Sequence, residues 1–142
     1  MNKFVVVTGG QNSNFSGQAR VSMLYDTESN TWKMRADLNV ARSNHSSVAT
    51  DKAIFVFGGE SPGFLNSIER FPLLKELDEN GNAKPIAWEL FFIPELEPRT
   101  KPLMVVAENS AILILGGSKK TDGVIYDSET RSVTKLVDTG NF

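Results

Sequence analysis

Three short apolar runs, each ending in a pair of glycines, most limit what this chain can fold into. The runs are FVVVTGG to Gly10, IFVFGG to Gly59 and ILILGG to Gly117. Each is continuously apolar and rich in Val, Ile and Phe, which predicts strands covered on both faces. A turn-forming pair precedes each run at the same offset from its glycines: Asn2-Lys3, Asp51-Lys52 and Asn109-Ser110. This shared spacing indicates a structural repeat.

A second predicted strand follows each glycine pair after a polar loop of variable length. In the first and third repeats this strand ends in Tyr-Asp, at Tyr25 and Tyr126. A turn of acidic, amide and hydroxyl residues then leads to Trp32 or Val133 at the same distance from the tyrosine. Such residues satisfy the backbone of a tight turn, so the pattern predicts a hairpin.

A further predicted strand, introduced by an arginine, precedes the second and third glycine pairs. Arg42 lies sixteen positions before Gly58, and Arg99 lies seventeen positions before Gly116. Each full unit therefore contains four short predicted strands, and its length is close to the roughly 50 residues of the kelch class of repeat.

Composition narrows the possible functions. The chain has 142 residues, 40% of them hydrophobic, which is enough for one domain with a core. Its net charge of -2 and scattered basic residues argue against a nucleic-acid partner. It has no cysteine, which excludes disulfides and cysteine-based metal sites, and its first apolar run is too short for a signal peptide or a membrane span. We therefore expect a cytoplasmic protein with no membrane association.

Over essentially all of its length the chain resembles a stretch of kelch repeats. The residues that carry the resemblance are Gly9-Gly10 with Tyr25 and Trp32, Gly58-Gly59 with Phe71 and Trp88, and Gly116-Gly117 with Tyr126. Two departures occur: Phe71 replaces a tyrosine, with an insertion at 72–87 before the tryptophan, and Val133 occupies the tryptophan position of the third unit. The resemblance implies an all-β fold of four-stranded antiparallel blades, as in a β-propeller.

Three glycine pairs imply about three blades, over residues 1–41, 42–98 and 99–142. The first is expected to lack its innermost strand. Because closed propellers have four to eight blades, we expect an incomplete ring, either part of a longer protein or one that self-associates to complete the propeller.

The repeated residues are interpreted as architecture. The glycine pairs lack the Gly-Lys-Ser/Thr ending of a phosphate loop, and glycine suits a strand end where neighbouring blades crowd. Trp32 and Trp88 could stack on a sugar or a base, but their fixed place in the repeat favours packing between blades.

The expected function is a binding module for another protein, since kelch propellers serve mainly as binding platforms. The predicted contact face combines the loops between second and third strands (11–18, 60–66 and 118–122) with the loops between blades (41–45 and 98–101). The candidate partner-binding residues are Arg42, Asn44, His45, Arg99 and Lys101. The two arginines could instead pin a neighbouring blade by hydrogen bonds to carbonyl groups, and their recurrence favours that role.

The alternative is part of a kelch-propeller enzyme acting on sugars, of an oxidase or isomerase type. An enzyme resembling galactose oxidase would need copper ligated by tyrosine and histidine, with a tyrosine cross-linked to cysteine. With no cysteine and His45 as its one histidine, the sequence disfavours the oxidase, and no catalytic, metal or cofactor site is predicted. An isomerase, which needs no metal, stays open.

Overall fold

The computed structural model describes residues 3–11, 17–74, 76–108 and 110–136. Within these ranges the chain forms eleven β-strands and no helix. Consequently, no described helix is long and apolar enough to cross a membrane. The strands form three antiparallel sheets, which follow one another along the chain and do not close a ring. The predicted all-β class, with consecutive blade-like sheets in an incomplete ring, is confirmed.

Each sheet is a meander in which sequence neighbours pair. Sheet I has the order β1-β2-β3, with β1 Phe4–Thr8, β2 Ser22–Asp26 and β3 Thr31–Met34. Sheet II has the order β4-β5-β6-β7, with β4 Ser46–Ala49, β5 Ala53–Phe57, β6 Ser67–Pro72 and β7 Glu89–Phe92. Sheet III has the order β8-β9-β10-β11, with β8 Leu103–Val106, β9 Ala111–Leu115, β10 Gly123–Asp127 and β11 Val133–Lys135.

The predicted hairpins are present in sheets I and III, and their turns have the same construction. Asp26 Oδ1 accepts hydrogen bonds from the backbone N–H groups of Glu28 (3.0 Å) and Ser29 (3.3 Å). The carboxylate of Asp127 accepts two equivalent bonds in sheet III, at 2.9 and 2.8 Å. The fifth turn residue, Asn30 or Arg131, has a positive φ of 55° or 62°. Short polar side chains therefore satisfy the turn backbone, as the sequence pattern predicted.

The core consists of two apolar layers on the two faces of sheet II. One layer, between sheets I and II, comprises Leu38, Ile54, Val56, Phe71 and Trp88, with Val6 packed against it. The other, between sheets II and III, comprises Ala53, Phe55, Phe57, Ile68, Ile93, Leu96, Met104, Ile112, Ile114, Val124 and Tyr126. Successive residues of β5 alternate between these layers, so all five are buried.

The expectation that all three apolar runs are covered on both faces is correct only for β5. In β9 every second residue is buried, whereas the residues of β1 are all partly or well exposed. The reason is position: sheet II lies between two sheets, whereas sheets I and III each pack against one neighbour. Burial of the same sequence pattern therefore depends on what lies beside the sheet.

The described part of the insertion, residues 72–74 and 76–87, forms a short turn structure at the end of sheet II away from the glycine pairs. Asp78 Oδ1 accepts hydrogen bonds from the N–H groups of Asn80 (2.9 Å) and Asn82 (2.8 Å), and Gly81 has a φ of 81°. An ion pair between Glu76 and Arg70 ties the base of the insertion to β6.

Candidate protein-interaction surface

The glycine pairs lie where the loops of adjacent sheets meet. A Cβ atom on Gly58 would lie 2.6 Å from the carbonyl oxygen of Arg99, and one on Gly59 would lie 2.5 Å from that of Ser43. The φ angles of Gly58 and Gly59, 69° and 93°, also favour glycine. Gly59 N–H donates to the Arg99 carbonyl at 2.9 Å, and Gly10 N–H makes the matching bond to the Arg42 carbonyl at 2.8 Å. The first two glycine pairs thus join their own sheets to the loop that leads into the next sheet.

These contacts gather the predicted loops at one end of the molecule. Ser43 and Glu60 exchange backbone hydrogen bonds of 3.3 and 3.0 Å, and Lys101 N–H donates to the Asn44 carbonyl at 2.7 Å. The Ser118 hydroxyl accepts a bond from Thr100 N–H at 2.6 Å. We call the described loop segments 41–45, 60–66, 98–101 and 118–122 the loop surface. Residues 12–16 of the first predicted loop lie outside the described residues.

Two of the five predicted contact residues are inside the molecule. Arg42 is completely buried: it donates to the Gly58 carbonyl at 2.8 Å and to Glu69 Oε1 at 2.8 Å. Burial lowers the pKa of Arg42, while the neighbouring carboxylate acts in the opposite direction. Arg99 is also buried and donates to the Gly116 carbonyl at 3.0 Å and to both carboxylate oxygens of Asp122, at 2.8 and 3.0 Å.

Neither arginine can therefore touch a partner. Each donates to the carbonyl of the first glycine after the second strand of its own sheet, Gly58 or Gly116, and Arg99 Nε also donates at 2.9 Å to the Glu97 carbonyl in the connection from sheet II. This corrects their inclusion in the predicted contact set. The hydrogen bonds from Arg99 lower the pKa of Asp122, which keeps that carboxylate charged.

His45 is partly buried at the junction of sheets I and II. Its Nε2 lies 2.9 Å from the Thr8 hydroxyl, and its Nδ1 is buried with no hydrogen-bond partner among the described residues. Burial, followed by the charge of Arg42, lowers the pKa of His45 to about 4. At neutral pH the ring is uncharged and links the two sheets by packing and one hydrogen bond.

Asn44 and Lys101 are the predicted contact residues that the structure leaves exposed. They occupy equivalent positions before β4 and β8, and both have positive φ angles, 53° and 50°. The Asn44 amide donates to Glu60 Oε1 at 2.8 Å, which fixes one side of the loop surface.

Phe64 is an exposed residue of the loop surface that the sequence analysis did not name as a contact residue, although it lies in the predicted loop 60–66. Its side chain is 53% exposed at the tip of this loop. The loop is internally bonded, with Ser61 N–H donating to Gly63 O at 2.8 Å and Leu65 N–H donating to Gly59 O at 2.9 Å. An aromatic residue beside Pro and Gly in a predicted loop was the available sequence signal.

The repeated aromatic residues occupy matching positions but differ in burial. Tyr25 pairs with Trp32 across β2 and β3, with ring centroids 4.9 Å apart, and Phe71 and Trp88 form the matching pair at 5.2 Å. Trp88 is 5% exposed, whereas Trp32 is 55% exposed. The expectation that Trp32 is packed between blades is therefore wrong for this structure, because its face of sheet I has no described neighbour. Tyr126 is buried against sheet II.

Consecutive meanders of three or four strands, stacked face to face and joined at glycine-rich ends, define a protein built of propeller-type blades. A sequence model of the kelch motif matches residues 41–73, the segment from Arg42 through β6. Beta-scruin of Limulus polyphemus is 30% identical over 106 residues, which cover 73% of this chain and 10% of beta-scruin. The chain thus spans about a tenth of that relative's length. The chain is a kelch-repeat protein, as the sequence resemblance predicted.

Proposed function

We propose that this chain is a protein-interaction module that binds its partner through the loop surface and performs no catalysis. The kelch repeats support a scaffold of this general kind. Composition supports two further parts of the proposal, a cytoplasmic location and a partner that is neither nucleic acid nor membrane, because the chain has no cysteine and a net charge of only -2.

The observation that carries the proposal is the exposed Phe64 on an internally bonded loop. Aromatic side chains dominate the energetics of many protein interfaces when a partner covers them. A loop that is already ordered loses little conformational entropy on binding. Asn44, Lys101 and Lys119 are exposed on the same surface and supply a polar rim.

The test compares Phe64→Ser with Leu77→Ser as a matched control. Leu77 is similarly exposed but lies in the insertion, at the opposite end of β6. Each variant is used for affinity purification from the cells that express the protein, followed by quantitative mass spectrometry. We expect at least one protein to be retained by the wild type and the control but reduced at least tenfold with Phe64→Ser. Equal recovery of every protein with the wild type, Phe64→Ser and Leu77→Ser would contradict the proposed surface if Lys101→Glu and Lys119→Glu also left recovery unchanged.

We also propose that the protein self-associates to cover the outer faces of sheets I and III. The uncovered face of sheet I presents Val5, Val7, Trp32 and Met34, and that of sheet III presents Leu103, Val105 and Ile125, all of them exposed. Apolar faces of this kind are uncommon on monomers. Size-exclusion chromatography with light scattering tests this proposal: a discrete dimer supports two copies closing one ring, and a monomer at all concentrations contradicts it.

A further inference from the structure

The junction between sheets II and III contains charged side chains that the repeat does not require. Arg70 in β6 pairs with Phe55 in β5 and with Glu89 in β7, so these three side chains share the face of sheet II that packs against sheet III. In sheets I and III the residue directly before the repeated aromatic is Leu24 or Ile125, where sheet II has the arginine. The arginine is therefore specific to this junction, and the repeat architecture does not account for it.

A cavity of about 170 Å³ lies beside these side chains, at the end of the sheets away from the glycine pairs. One water molecule needs only about 10–15 Å³ of such space, so a small polyatomic ligand has room. The side chains of Lys52 and Arg131 are about half exposed and that of Arg70 is largely buried, so the cavity is open on one side. Its charged lining residues are these three cations and the carboxylates of Glu76 and Glu129, which gives a formal net charge of +1.

The two arginines are held close together and keep donors free. Arg70 Nη1 lies 3.5 Å from Glu89 Oε2, and Arg131 Nη2 lies 3.1 Å from the same oxygen. The guanidinium carbon of Arg131 lies 4.0 Å from the centroid of the Phe91 ring, which fixes the plane of the group. A guanidinium carries five N–H donors, and Arg131 uses one of them for a described acceptor. The Ser128 hydroxyl, which also lines the cavity, has no described hydrogen-bond partner.

Tyr126 supplies a second, independent observation. Its side chain is 2% exposed, and its hydroxyl is buried with no hydrogen-bond partner among the described residues. The ring packs edge-on against Phe55, which lines the cavity, with the ring centroids 6.2 Å apart. Burial raises the pKa of Tyr126, and the charges of Arg131 and Arg70 act in the opposite direction. The hydroxyl therefore stays protonated at neutral pH beside two cations, and a bound acceptor would satisfy it.

We propose that this cavity binds a phosphate group at a junction site formed by Lys52, Arg70, Tyr126, Ser128 and Arg131. The positive lining favours an anion over a cation. Donors on two guanidinium groups, an ammonium group and two hydroxyls suit an oxyanion with several acceptor oxygens. A bound phosphate would join sheet II, through Arg70, to sheet III, through Arg131. The junction site lies at the opposite end of the sheets from the loop surface and does not depend on the function proposed for that surface.

NMR titration of the isotope-labelled protein with inorganic phosphate tests the proposal. The buffer contains no other phosphate, and sodium chloride keeps the ionic strength constant. We expect saturable shifts at the amides of Lys52, Ser128 and Arg131 that fit one Kd in the millimolar range, because the lining carboxylates limit the affinity. Arg131→Gln should weaken binding at least about tenfold, since it removes charge-assisted hydrogen bonds. Arg35→Gln is the matched control, because Arg35 is exposed on sheet I outside the cavity and has no described ion pair.

Tyr126→Phe separates phosphate binding from a structural role. Because the hydroxyl has no described partner, its removal should leave the stability of the phosphate-free protein unchanged while weakening phosphate binding at least about threefold. Unchanged binding by both Tyr126→Phe and Arg131→Gln would overturn the proposal. So would the absence of saturation up to about 50 mM phosphate, or equal shifts with sodium chloride in its place.

A peptide with one phosphoserine and no other charge distinguishes the two sources of a phosphate group. Binding that is tighter than that of inorganic phosphate, and lost in the unphosphorylated peptide, would assign the junction site to a phosphorylated segment. Binding of inorganic phosphate without binding of the peptide would assign it to the free ion. If neither binds, the proposal is wrong.

Discussion

Trp88 and Trp32 form a matched pair for measuring how much burial between sheets contributes to stability. Trp88 is 5% exposed, and its indole N–H donates to the Ala36 carbonyl at 3.0 Å. A buried ring of this size removes about 200 Å² from water, which at about 25 cal/mol per Å² corresponds to about 5 kcal/mol as an upper estimate. Measured losses for buried tryptophan to alanine are about 3–5 kcal/mol. We therefore expect Trp88→Ala to lower the free energy of unfolding by about 4 kcal/mol.

Trp32→Ala should cost much less. With 55% of the side chain exposed, its main described aromatic contact is the ring of Tyr25, 4.9 Å away. Pairs of this kind contribute about 0.5–1.5 kcal/mol, so we expect a loss of about 1 kcal/mol. Urea unfolding followed by circular dichroism measures both variants. Equal losses at low protein concentration would refute the argument, while a loss for Trp32→Ala that grows with concentration would show that a second copy covers this face.

Three further changes test the interior. Glu69→Ala removes the partner of the fully buried Arg42 and should lower the free energy of unfolding by about 3–5 kcal/mol. Glu76→Ala, at a partly exposed ion pair, should lower it by at most about 1 kcal/mol. Urea unfolding measures both variants. Gly58 has a φ of 69°, and a Cβ there would lie 2.6 Å from a carbonyl oxygen, so Gly58→Ala should lower the free energy of unfolding by at least about 2 kcal/mol. Gly63→Ala, where a Cβ meets open space, should lower it by about 0.5 kcal/mol or less. Thermal unfolding measures both variants. The folded pKa of His45, about 4, lies below its ordinary 6.5, so the unfolded chain binds the proton first and stability falls as pH drops from 6.5 toward 4. We expect a loss of up to about 2 kcal/mol, allowing for partial exposure, and His45→Gln should flatten this part of the pH profile of stability.

The fold could be predicted from the sequence because its determinants are local. An apolar run that ends in Gly58-Gly59 specifies a strand and its end within seven residues. In sheet I, the carboxylate of Asp26 specifies the turn between β2 and β3 by accepting hydrogen bonds from the turn backbone. The hairpins, the antiparallel sheets and their repetition follow from such short-range features. None of them requires knowledge of which sheet lies beside which.

The candidate site was harder to predict because its determinants are far apart in sequence. Arg42 is buried because Glu69, 27 positions later, accepts its hydrogen bond, and the equivalent carboxylate for Arg99 is Asp122, 23 positions later. An acidic residue at a similar distance after each arginine is visible in the sequence, but the interior role was favoured only by the recurrence of the arginines. The different exposures of Trp32 and Trp88 had no such signal, since they depend on a neighbouring sheet.

The buried network explains how the loop surface is held in one arrangement. Glu69 accepts bonds from the backbone N–H groups of Asn39 (2.7 Å) and Val40 (3.0 Å) as well as from Arg42, so one carboxylate fixes the connection between sheets I and II. That connection places Asn44 next to Glu60, whose carboxylate accepts a hydrogen bond from the Asn44 amide at 2.8 Å.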